Sequence, residues 1–332
     1  MSAPCVGFLG TGWIGRHRMA AMQNSGAIEV AAVVDPSDEC ARLALEIAPG
    51  AQRLPDLDAL LGAGLDGLVI ATPSALHAEQ AIAALDQGLA VFCQKPLGRT
   101  AAEAQAVVAA AERADRLLSV DFSYRFTAAA RAIRGLVESG TLGDVFAIDL
   151  RFHNAYGPDK GWFRDRALSG GGCVIDLGVH LIDLALWLTG FPAVTSVAAQ
   201  LHAQGIRLAR QPDRVEDHAA VQITLECGAT VTLACSWNLP AGRDAVIALD
   251  IYGTQGGASL HNPGGGFYDF EAWHHRGTAS ERVAAPPDDW GGRAAAAWAR
   301  RLQVDAGWAG GGDELIRVAE TIDRIYGRSL PT

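Results

Sequence analysis

The arrangement of apolar and polar residues changes near residue 122. Before that point, short apolar runs typical of buried parallel strands alternate with stretches of helical periodicity. This part of the chain predicts strands at 6–9, 28–34, 67–71, 89–93 and 117–122, a helix ending near residue 24, and further helices at 38–47, 57–61, 76–87 and 101–115. Regular alternation of the two elements predicts an α/β fold, with a doubly wound parallel sheet covered by helices.

Beyond residue 122, apolar and polar residues alternate singly, as in strands with one solvated face. Strands are predicted at 144–153, 194–203, 216–226, 229–236 and 245–252, and helices at 127–139, 292–305 and 313–326. The segment 253–292 has weak periodicity and no assigned element. The pattern predicts two domains, 1–122 and 123–332, the second built on a mostly antiparallel sheet.

The first predicted strand runs directly into a glycine-rich turn that opens a helix. The turn reads Gly10-Thr11-Gly12-Trp13-Ile14-Gly15 and has GxGxxG spacing. These glycines permit a tight turn, close approach of backbone to a pyrophosphate, and packing of helix against strand. The next strand ends at Asp35, 20 residues past the last glycine, where a carboxylate would bind ribose hydroxyls. A purely structural turn is the alternative, but the complete unit favours dinucleotide binding.

The residues around Asp35 favour NAD over NADP. Pro36 and Ser37 follow the carboxylate, so a 2′-phosphate would meet negative charge without an adjacent arginine. Arg42 is the nearest cation that could still approach, which leaves NADP possible.

Composition and charge narrow the remaining classes of function. A formal net charge of −10 disfavours nucleic-acid binding and gives no attraction to anionic membranes. No apolar run of about 18 residues and no leading signal segment is recognised, so we expect a cytoplasmic chain without a membrane span. The 6 cysteines are scattered without metal-finger spacing, and no structural metal is predicted.

Two further strand ends carry candidate cofactor ligands, since ligands bind at the carboxyl ends of parallel strands. Thr72 follows the strand at 67–71, and His77 lies in the first turn of the next helix. Gln94 and Lys95 follow the strand at 89–93. A surface histidine is an equal alternative for His77, and most single loop lysines are merely solvated, but the position of Lys95 favours a role.

The second candidate centre is a buried helix preceded by three glycines, in the run 169–188. Asp176, His180 and Asp183 have i, i+4 and i+7 spacing, which predicts one stripe of ionisable groups on an apolar helix. Unpaired burial would be costly, so the stripe is paired or faces a polar cavity. The functional interpretation is that this helix forms a wall of the active site. A structural Asp–His pair and a metal site are the alternatives. The glycines are expected to let a ligand or cofactor approach the backbone.

These motifs together resemble the Gfo/Idh/MocA oxidoreductase family, the relatives of glucose-fructose oxidoreductase and inositol 2-dehydrogenase. The resemblance rests on the runs GFLGTGWIG, ATPSALH, QKP and SGGGCVIDLGVHLID. It implies an N-terminal Rossmann domain and a C-terminal α/β domain with a large open sheet, which often serves as an oligomer face. A homodimer or homotetramer and an NAD(P)-dependent reaction on a sugar, inositol or related polyol are therefore expected.

Carried onto matching positions, the resemblance assigns Lys95 to the reacting substrate oxygen and His180 to proton transfer. Asp176 would bind substrate and orient His180. Oxidation of a carbinol needs such a base and a cation beside the developing alkoxide. Gln94 departs from the glutamate usual in the family, which should make protonation of Lys95 slightly less favourable.

Substrate specificity is expected from loops of the second domain. The candidates Tyr124, Arg125, Trp162 and Arg164 lie just after the domain junction and just before the glycines. Packing for Trp162 and surface ion pairing for the charged residues are the alternatives. Two other functions remain open at this point: a glycoside hydrolase that retains NAD, and a non-enzymatic dinucleotide sensor.

Overall fold

The computed structural model describes residues 3–209 and 214–330. The chain forms two compact units. Unit 1 contains Met1–Ser123 and Gly291–Ile316, and unit 2 contains Tyr124–Trp290 and Arg317–Thr332. After unit 2 the chain returns to unit 1 at Gly291–Ile316, which a single boundary near residue 122 does not describe.

Unit 1 is built on a parallel sheet of six strands in the order β3-β2-β1-β4-β5-β6. Its strands are β1 (Cys5–Leu9), β2 (Glu29–Val34), β3 (Gln52–Arg53), β4 (Gly67–Ile70), β5 (Ala90–Cys93) and β6 (Leu118–Val120). Its first helices are α1 (Trp13–Asn24), α2 (Asp38–Ile47), α3 (Leu57–Leu61), α4 (Ser74–Asp86) and α5 (Ala101–Ala114). The predicted doubly wound sheet is confirmed.

The order of the strands has a functional consequence. Strand β1 lies between β2 and β4, so the chain reverses its direction of growth across the sheet at β1. In doubly wound folds, ligands bind outside the carboxyl ends of the strands at such a switch point. The glycine turn after β1 therefore stands where this class of sheet binds its ligand.

The chain returns to unit 1 with helix α9 (Arg293–Val304), which packs against α1 and β5. The buried Trp298 ring fills the space above Gly67, where a Cβ atom would lie 2.8 Å from the ring. It also lies 5.8 Å from the Phe92 ring, centroid to centroid. The C-terminal helix α10 (Gly312–Ile325) continues through the last boundary between the units.

Unit 2 is built on a nine-stranded sheet in the order β15-β14-β13-β12-β7-β11-β10-β8-β9. Its strands are β7 (Val145–Asn154), β8 (Val194–Ala203), β9 (Ile206–Arg207), β10 (His218–Leu225), β11 (Thr230–Ser236), β12 (Ala245–Gly253), β13 (Gly257–His261), β14 (Glu271–Arg276) and β15 (Ala279–Ala284). All pairs are antiparallel except β7 with β11. The predicted sheet is confirmed, and it extends into the unassigned segment 253–292.

The helices of unit 2 are α6 (Ala128–Glu138), α7 (Arg166–Ser169) and α8 (Val179–Leu188), with 3₁₀ turns at Ser123–Phe126 and Gly161–Arg164. A π-helical turn, Val174–Gly178, precedes α8. In the described part of the chain, one helical stretch, Arg166–Leu188, is long and apolar enough to cross a membrane. Because 83% of its apolar window is buried inside the protein, length and composition are weak grounds for a span. The predicted burial of this helix is confirmed.

Candidate functional site

The glycine turn of unit 1 has the geometry that a dinucleotide site requires. Gly10 has φ +88°, and a Cβ atom there would lie 2.5 Å from the Ala71 carbonyl oxygen. A Cβ atom at Gly15 would lie 2.3 Å from the Gly10 carbonyl oxygen, so this glycine lets α1 start close to the turn. Gly12 precedes the helix, and no side chain caps its N-terminus. The first amide groups of α1 are thus available to phosphate oxygens.

The two residues between the last glycines differ in exposure. Trp13 is 60% exposed, and its ring centroid lies 5.6 Å from that of His17. Ile14 is partly buried. The large exposed indole beside the turn offers an apolar surface to a bound cofactor.

Asp35 is held at the end of β2 by the glycine turn itself. Its Oδ2 accepts hydrogen bonds from the Thr11 amide (2.6 Å) and hydroxyl (3.2 Å), and its Oδ1 accepts one from the Ser37 amide (2.8 Å). The carboxylate therefore has a fixed orientation beside the pyrophosphate position, as ribose binding requires.

Arg42, the cation that would suit NADP, is already paired. Its guanidinium binds the carboxylates of Glu39 and Glu46 on the same helix. This arrangement supports the preference for NAD, because a 2′-phosphate would have to displace two carboxylates.

His77 fastens two strand-end loops to each other. The ring is 1% exposed, with Nδ1 2.7 Å from the Pro96 carbonyl oxygen and Nε2 2.8 Å from the Thr72 carbonyl oxygen. Burial lowers the pKa of this imidazole. The Thr72 hydroxyl donates to Gln80 Oε1 at 2.6 Å. His77 is thus neither a surface residue nor an open cofactor ligand, but a support for the loops after β4 and β5.

Gln94 and Lys95 follow β5, and Gln94 is joined to a carboxylate at the next strand end. Gln94 Nε2 donates to Asp121 Oδ2 at 2.7 Å, and Arg18 Nε donates to the same oxygen at 2.6 Å. All three side chains are buried. Because the partner is a carboxylate, the amide at position 94 suits this environment better than the glutamate usual in the family. Lys95 is partly buried beside this group.

In unit 2, two of the three glycines before Asp176 have a packing role. Cβ atoms at Gly171 and Gly172 would lie 2.1 Å from the Tyr326 hydroxyl and 1.9 Å from the Glu216 carbonyl oxygen. The expectation that these glycines admit a ligand is therefore wrong for these two positions, since protein atoms already occupy the space.

The buried Glu216 carboxylate binds the start of the helical segment. It accepts hydrogen bonds from the amides of Gly172 (3.1 Å) and Val174 (2.9 Å) and from the Tyr326 hydroxyl (2.8 Å). Burial raises the pKa of Glu216, and these donors oppose the rise. This carboxylate fixes the backbone from which Asp176 and His180 project.

Asp176 and His180 lie on the π-helical turn and on the first turn of α8. Asp176 Oδ2 accepts a hydrogen bond from Trp237 Nε1 at 3.0 Å. The His180 ring lies 4.8 Å from the Tyr124 ring and 6.5 Å from the Phe152 ring, centroid to centroid. Both side chains are partly exposed, and π-helical turns of this kind are frequent at functional sites.

Tyr124 is an aromatic wall beside His180. Its ring also contacts those of Phe270 and Trp290, at centroid distances of 5.6 Å and 5.0 Å. The side chain is 7% exposed, and burial raises the pKa of the phenol. Tyr124 therefore acts on the site through packing and a neutral hydroxyl.

Arg125 and Asp183, which the sequence places in separate groups, form a buried ion pair. The Arg125 guanidinium donates to both Asp183 oxygens, at 2.9 Å and 2.5 Å, and lies 5.0 Å from the Phe191 ring centroid. Asp183 is 1% exposed. The predicted stripe is therefore divided: Asp183 ties α8 to the 3₁₀ turn, and substrate binding by Arg125 has a competing structural role.

Trp162 and Arg164 lie together on the 3₁₀ turn Gly161–Arg164. The Trp162 ring stacks on Phe163 at 3.8 Å, and Phe163 contacts Trp237 edge to face at 6.5 Å. Arg164 is exposed and lines a cavity of about 980 Å³ that Trp237 also lines. The turn is thus linked through aromatic contacts to the partner of Asp176.

Three supporting residues, Glu216, Trp237 and Asp121, were not singled out from the sequence. Glu216 and Trp237 act through contacts distant in sequence, so no local pattern marks them. Asp121 directly follows β6, and the rule that selected Lys95 at its strand end would also have found it. Across residues 3–209 and 214–330, no cluster of three or more His, Cys, Asp or Glu residues could hold a metal.

Comparison with known families agrees with this arrangement. Residues 5–122 match the oxidoreductase family with an NAD-binding Rossmann fold, and residues 130–259 match the GFO/IDH/MocA C-terminal domain. The chain belongs to the GFO/IDH/MocA family of NAD-binding oxidoreductases.

Individual relatives are moderately similar. A putative UDP-kanosamine synthase oxidoreductase subunit of Amycolatopsis mediterranei is 33% identical over 76% of this chain and 73% of that protein. D-apiose dehydrogenase of Paraburkholderia graminis is 31% identical over 85% of this chain and 73% of that protein. The crystal structure of GenD2 from gentamicin A biosynthesis, in complex with NAD, superposes with a TM-score of 0.81 at 25% identity, covering 98% of this chain and 94% of that one.

Proposed function

We propose that this oxidoreductase uses NAD to transfer a hydride to or from a carbinol carbon of a sugar, inositol or related polyol. Family membership supports the reaction class, and relatives named as sugar and inositol dehydrogenases support the substrate class. The observation that carries the proposal is that Asp176 and His180 lie on one helical segment whose start is held by Glu216. The other unit of the same chain contains a complete dinucleotide turn.

The residues of unit 1 fit the cofactor. The first amides of α1 and the Gly10–Gly15 turn would hold the pyrophosphate, and Asp35 would accept hydrogen bonds from the adenosine ribose. The tight contacts at Gly10 and Gly15 explain why larger residues would close this cradle. Bound NAD supplies the hydride acceptor.

In the proposed reaction, His180 accepts the hydroxyl proton of the substrate during oxidation and returns it during reduction. A neutral imidazole is suited to this role near pH 7. Lys95 binds the reacting oxygen, where a cation stabilises developing negative charge. Asp176, already fixed by the Trp237 indole, binds a substrate hydroxyl and orients His180.

The test is a steady-state assay of NADH formation with NAD and a panel of aldoses, cyclitols and polyols. We expect NADH formation by the wild type and a loss of about 10²–10⁴-fold in kcat in His180→Gln and Lys95→Met. His261→Gln, which alters a half-buried histidine paired with Glu271 on the large sheet, is the matched control and should retain wild-type activity.

Three results would contradict the proposal. Full activity of His180→Gln would remove the proton-transfer role. NAD binding without turnover of any panel member would favour a sensor. Consumption of a glycoside without net NADH would favour the hydrolase.

We also propose a homodimer or homotetramer in the cytoplasm, with no nucleic-acid or membrane partner. Polar and aromatic side chains on the open face of the large sheet, among them Gln222, Thr232 and Tyr252, support association through that face. Sedimentation velocity of the wild type and Tyr252→Glu tests the oligomer: the proposal predicts a smaller species for the variant. Cell fractionation tests the location.

A further inference from the structure

Four polar residues form a row across unit 2. His153 on β7 is paired in register with Ser236 on β11, Ser236 with His218 on β10, and His218 with His202 on β8. Side chains at paired positions of neighbouring strands project from the same face of a sheet. Three imidazoles and a hydroxyl are therefore brought side by side at one end of these strands.

The members of the row contact one another. His153 Nδ1 and the Ser236 hydroxyl are hydrogen-bonded at 2.8 Å. The His218 ring stacks parallel to that of His153, with centroids 6.5 Å apart, and meets the His202 ring edge to face at 5.6 Å. His202 Nδ1 is buried and has no hydrogen-bond partner among residues 3–209 and 214–330. A buried ring nitrogen of this kind is costly unless a ligand or water binds it.

One end of the row lines the cavity of about 980 Å³ described above. Its walls include His202, His218 and Ser236, together with the arginines Arg164 and Arg214. This volume is at the upper end of the range for small-molecule sites, about 300–1,000 Å³. The cavity has room for a sugar substituent as well as for solvent.

The charges on the cavity wall favour an anion. Among the described residues, neither Arg164 nor Arg214 is paired with a carboxylate. Among the described residues of the wall, Asp217 is the one that is acidic, and it accepts a hydrogen bond from the Gln204 amide at 2.8 Å. Burial lowers the pKa of His218, so this ring contributes hydrogen bonds rather than charge at neutral pH.

Arg164 has two close neighbours at the cavity wall. A Cβ atom at residue 157 would lie 2.6 Å from Arg164 Nη2 and 3.1 Å from Asn238 Oδ1, so this guanidinium lies close to Gly157 and Asn238. Asn238 also lines the cavity. The exposed guanidinium of Arg164 thus lies beside Asn238 at the cavity wall.

The cavity is connected to the candidate catalytic residues through Trp237. This residue lines the cavity, and its indole nitrogen donates to Asp176 Oδ2 at 3.0 Å. Trp237 thus joins the cavity wall to the residue that is proposed to bind a substrate hydroxyl.

We propose that the cavity is a subsite for an anionic group, a phosphate or a carboxylate, carried by the sugar substrate. Arg164 is its principal charged contact, and His202 Nδ1 and His218 supply hydrogen bonds. This inference rests on the proposed function, whose substrate class it narrows from polyhydroxy compounds in general to acidic sugars.

Calorimetric titration of the NAD-loaded protein tests the subsite separately from turnover. The probes are glucose, glucose 6-phosphate, glucuronate and inorganic phosphate. We expect at least one acidic sugar to bind about tenfold to a hundredfold more tightly than glucose, as a charge-assisted contact predicts. The phosphate and carboxylate probes show which anion the site prefers. Arg164→Ala should abolish the difference, and Arg300→Ala, which alters an exposed arginine on α9 of unit 1, should preserve it.

Equal affinity for glucose and both acidic sugars would overturn the subsite, as would an equal loss of affinity for all sugars in Arg164→Ala. Inorganic phosphate binding as tightly as glucose 6-phosphate would also overturn it, because the sugar would then contribute nothing. NADH formation with neutral sugars alone would overturn the subsite and retain the dehydrogenase. Tight binding of acidic sugars without any NADH formation would retain the subsite and contradict the dehydrogenase.

Discussion

Replacing Gln94 with glutamate would place a second carboxylate beside Asp121. In the wild type, Gln94 Nε2 and Arg18 Nε both donate to Asp121 Oδ2, at 2.7 Å and 2.6 Å. Asp121 Oδ1 is buried and has no hydrogen-bond partner in the described part of the chain. The introduced carboxylate would therefore exchange a donor for a like charge beside an Asp121 whose partner Arg18 is already engaged.

The cost follows from the distance. Two unit charges about 3–4 Å apart repel by roughly 4–5.5 kcal/mol at an effective dielectric constant of about 20. The lost hydrogen bond to a charged acceptor adds about 1.5–3 kcal/mol. Attraction to Arg18 and protonation of the introduced carboxyl offset part of this. We expect Gln94→Glu to lower the free energy of unfolding by about 2–4 kcal/mol at pH 7.

The loss should depend on pH. Repulsion raises the pKa of the introduced carboxyl in the folded protein above its unfolded value of about 4.3. The penalty is therefore absent below that pH, grows as the pH rises, and is complete above the raised pKa.

Scanning calorimetry of the cofactor-free protein at pH 5 and pH 8 measures this effect. A loss of this size corresponds to a fall of Tm on the order of 5–10 °C, larger at pH 8. The double variant Gln94→Glu/Asp121→Asn restores one amide and one carboxylate, and should recover most of the loss. Unchanged stability of Gln94→Glu at both pH values would refute the reasoning.

Three other outcomes are expected. Gly172→Ala should lower stability by more than about 3 kcal/mol in urea unfolding, because its Cβ would meet the Glu216 carbonyl oxygen, whereas Gly266→Ala, with open space around it, should change little. Asp35→Asn should weaken NAD binding by about tenfold or more in fluorescence titration and reduce discrimination against NADP; undiminished affinity would contradict the ribose role. His77→Gln should flatten the loss of stability below pH 6.5, because the pKa of His77 is lowered in the folded protein and acid therefore favours the unfolded, protonated chain.

The features that were predictable from sequence are those set by residues close together in the chain. The dinucleotide unit occupies residues 5–35. An apolar run marks its strand, the glycines mark its turn and the start of its helix, and the end of the second strand marks its acidic residue. The alternation of single apolar and polar residues likewise predicted most strands of the large sheet. Strands β13, β14 and β15 were not predicted, because their residues are mixed and their pairing partners, rather than their periodicity, define them.

Side-chain partnerships were less predictable than elements. The sequence shows Arg125 and Asp183 58 residues apart, and only the fold makes them an ion pair. His77 has a helix-start position typical of surface histidines, yet two carbonyl groups enclose it. Gly171 and Gly172 suggested ligand access, but the atoms that need the space belong to Tyr326 and Glu216. In each case the deciding neighbour is distant in sequence.

The return of residues Gly291–Ile316 to unit 1 constrains how the protein is made. Helix α9, with Trp298 over Gly67, belongs to the same unit as strand β1, although about 290 residues separate them in synthesis. The cofactor-binding unit therefore cannot be completed on the ribosome until residues up to Ile316 have emerged. Unit 2 still lacks Arg317–Thr332 at that point, so neither unit can be completed before the segment that follows Trp290 has been synthesised.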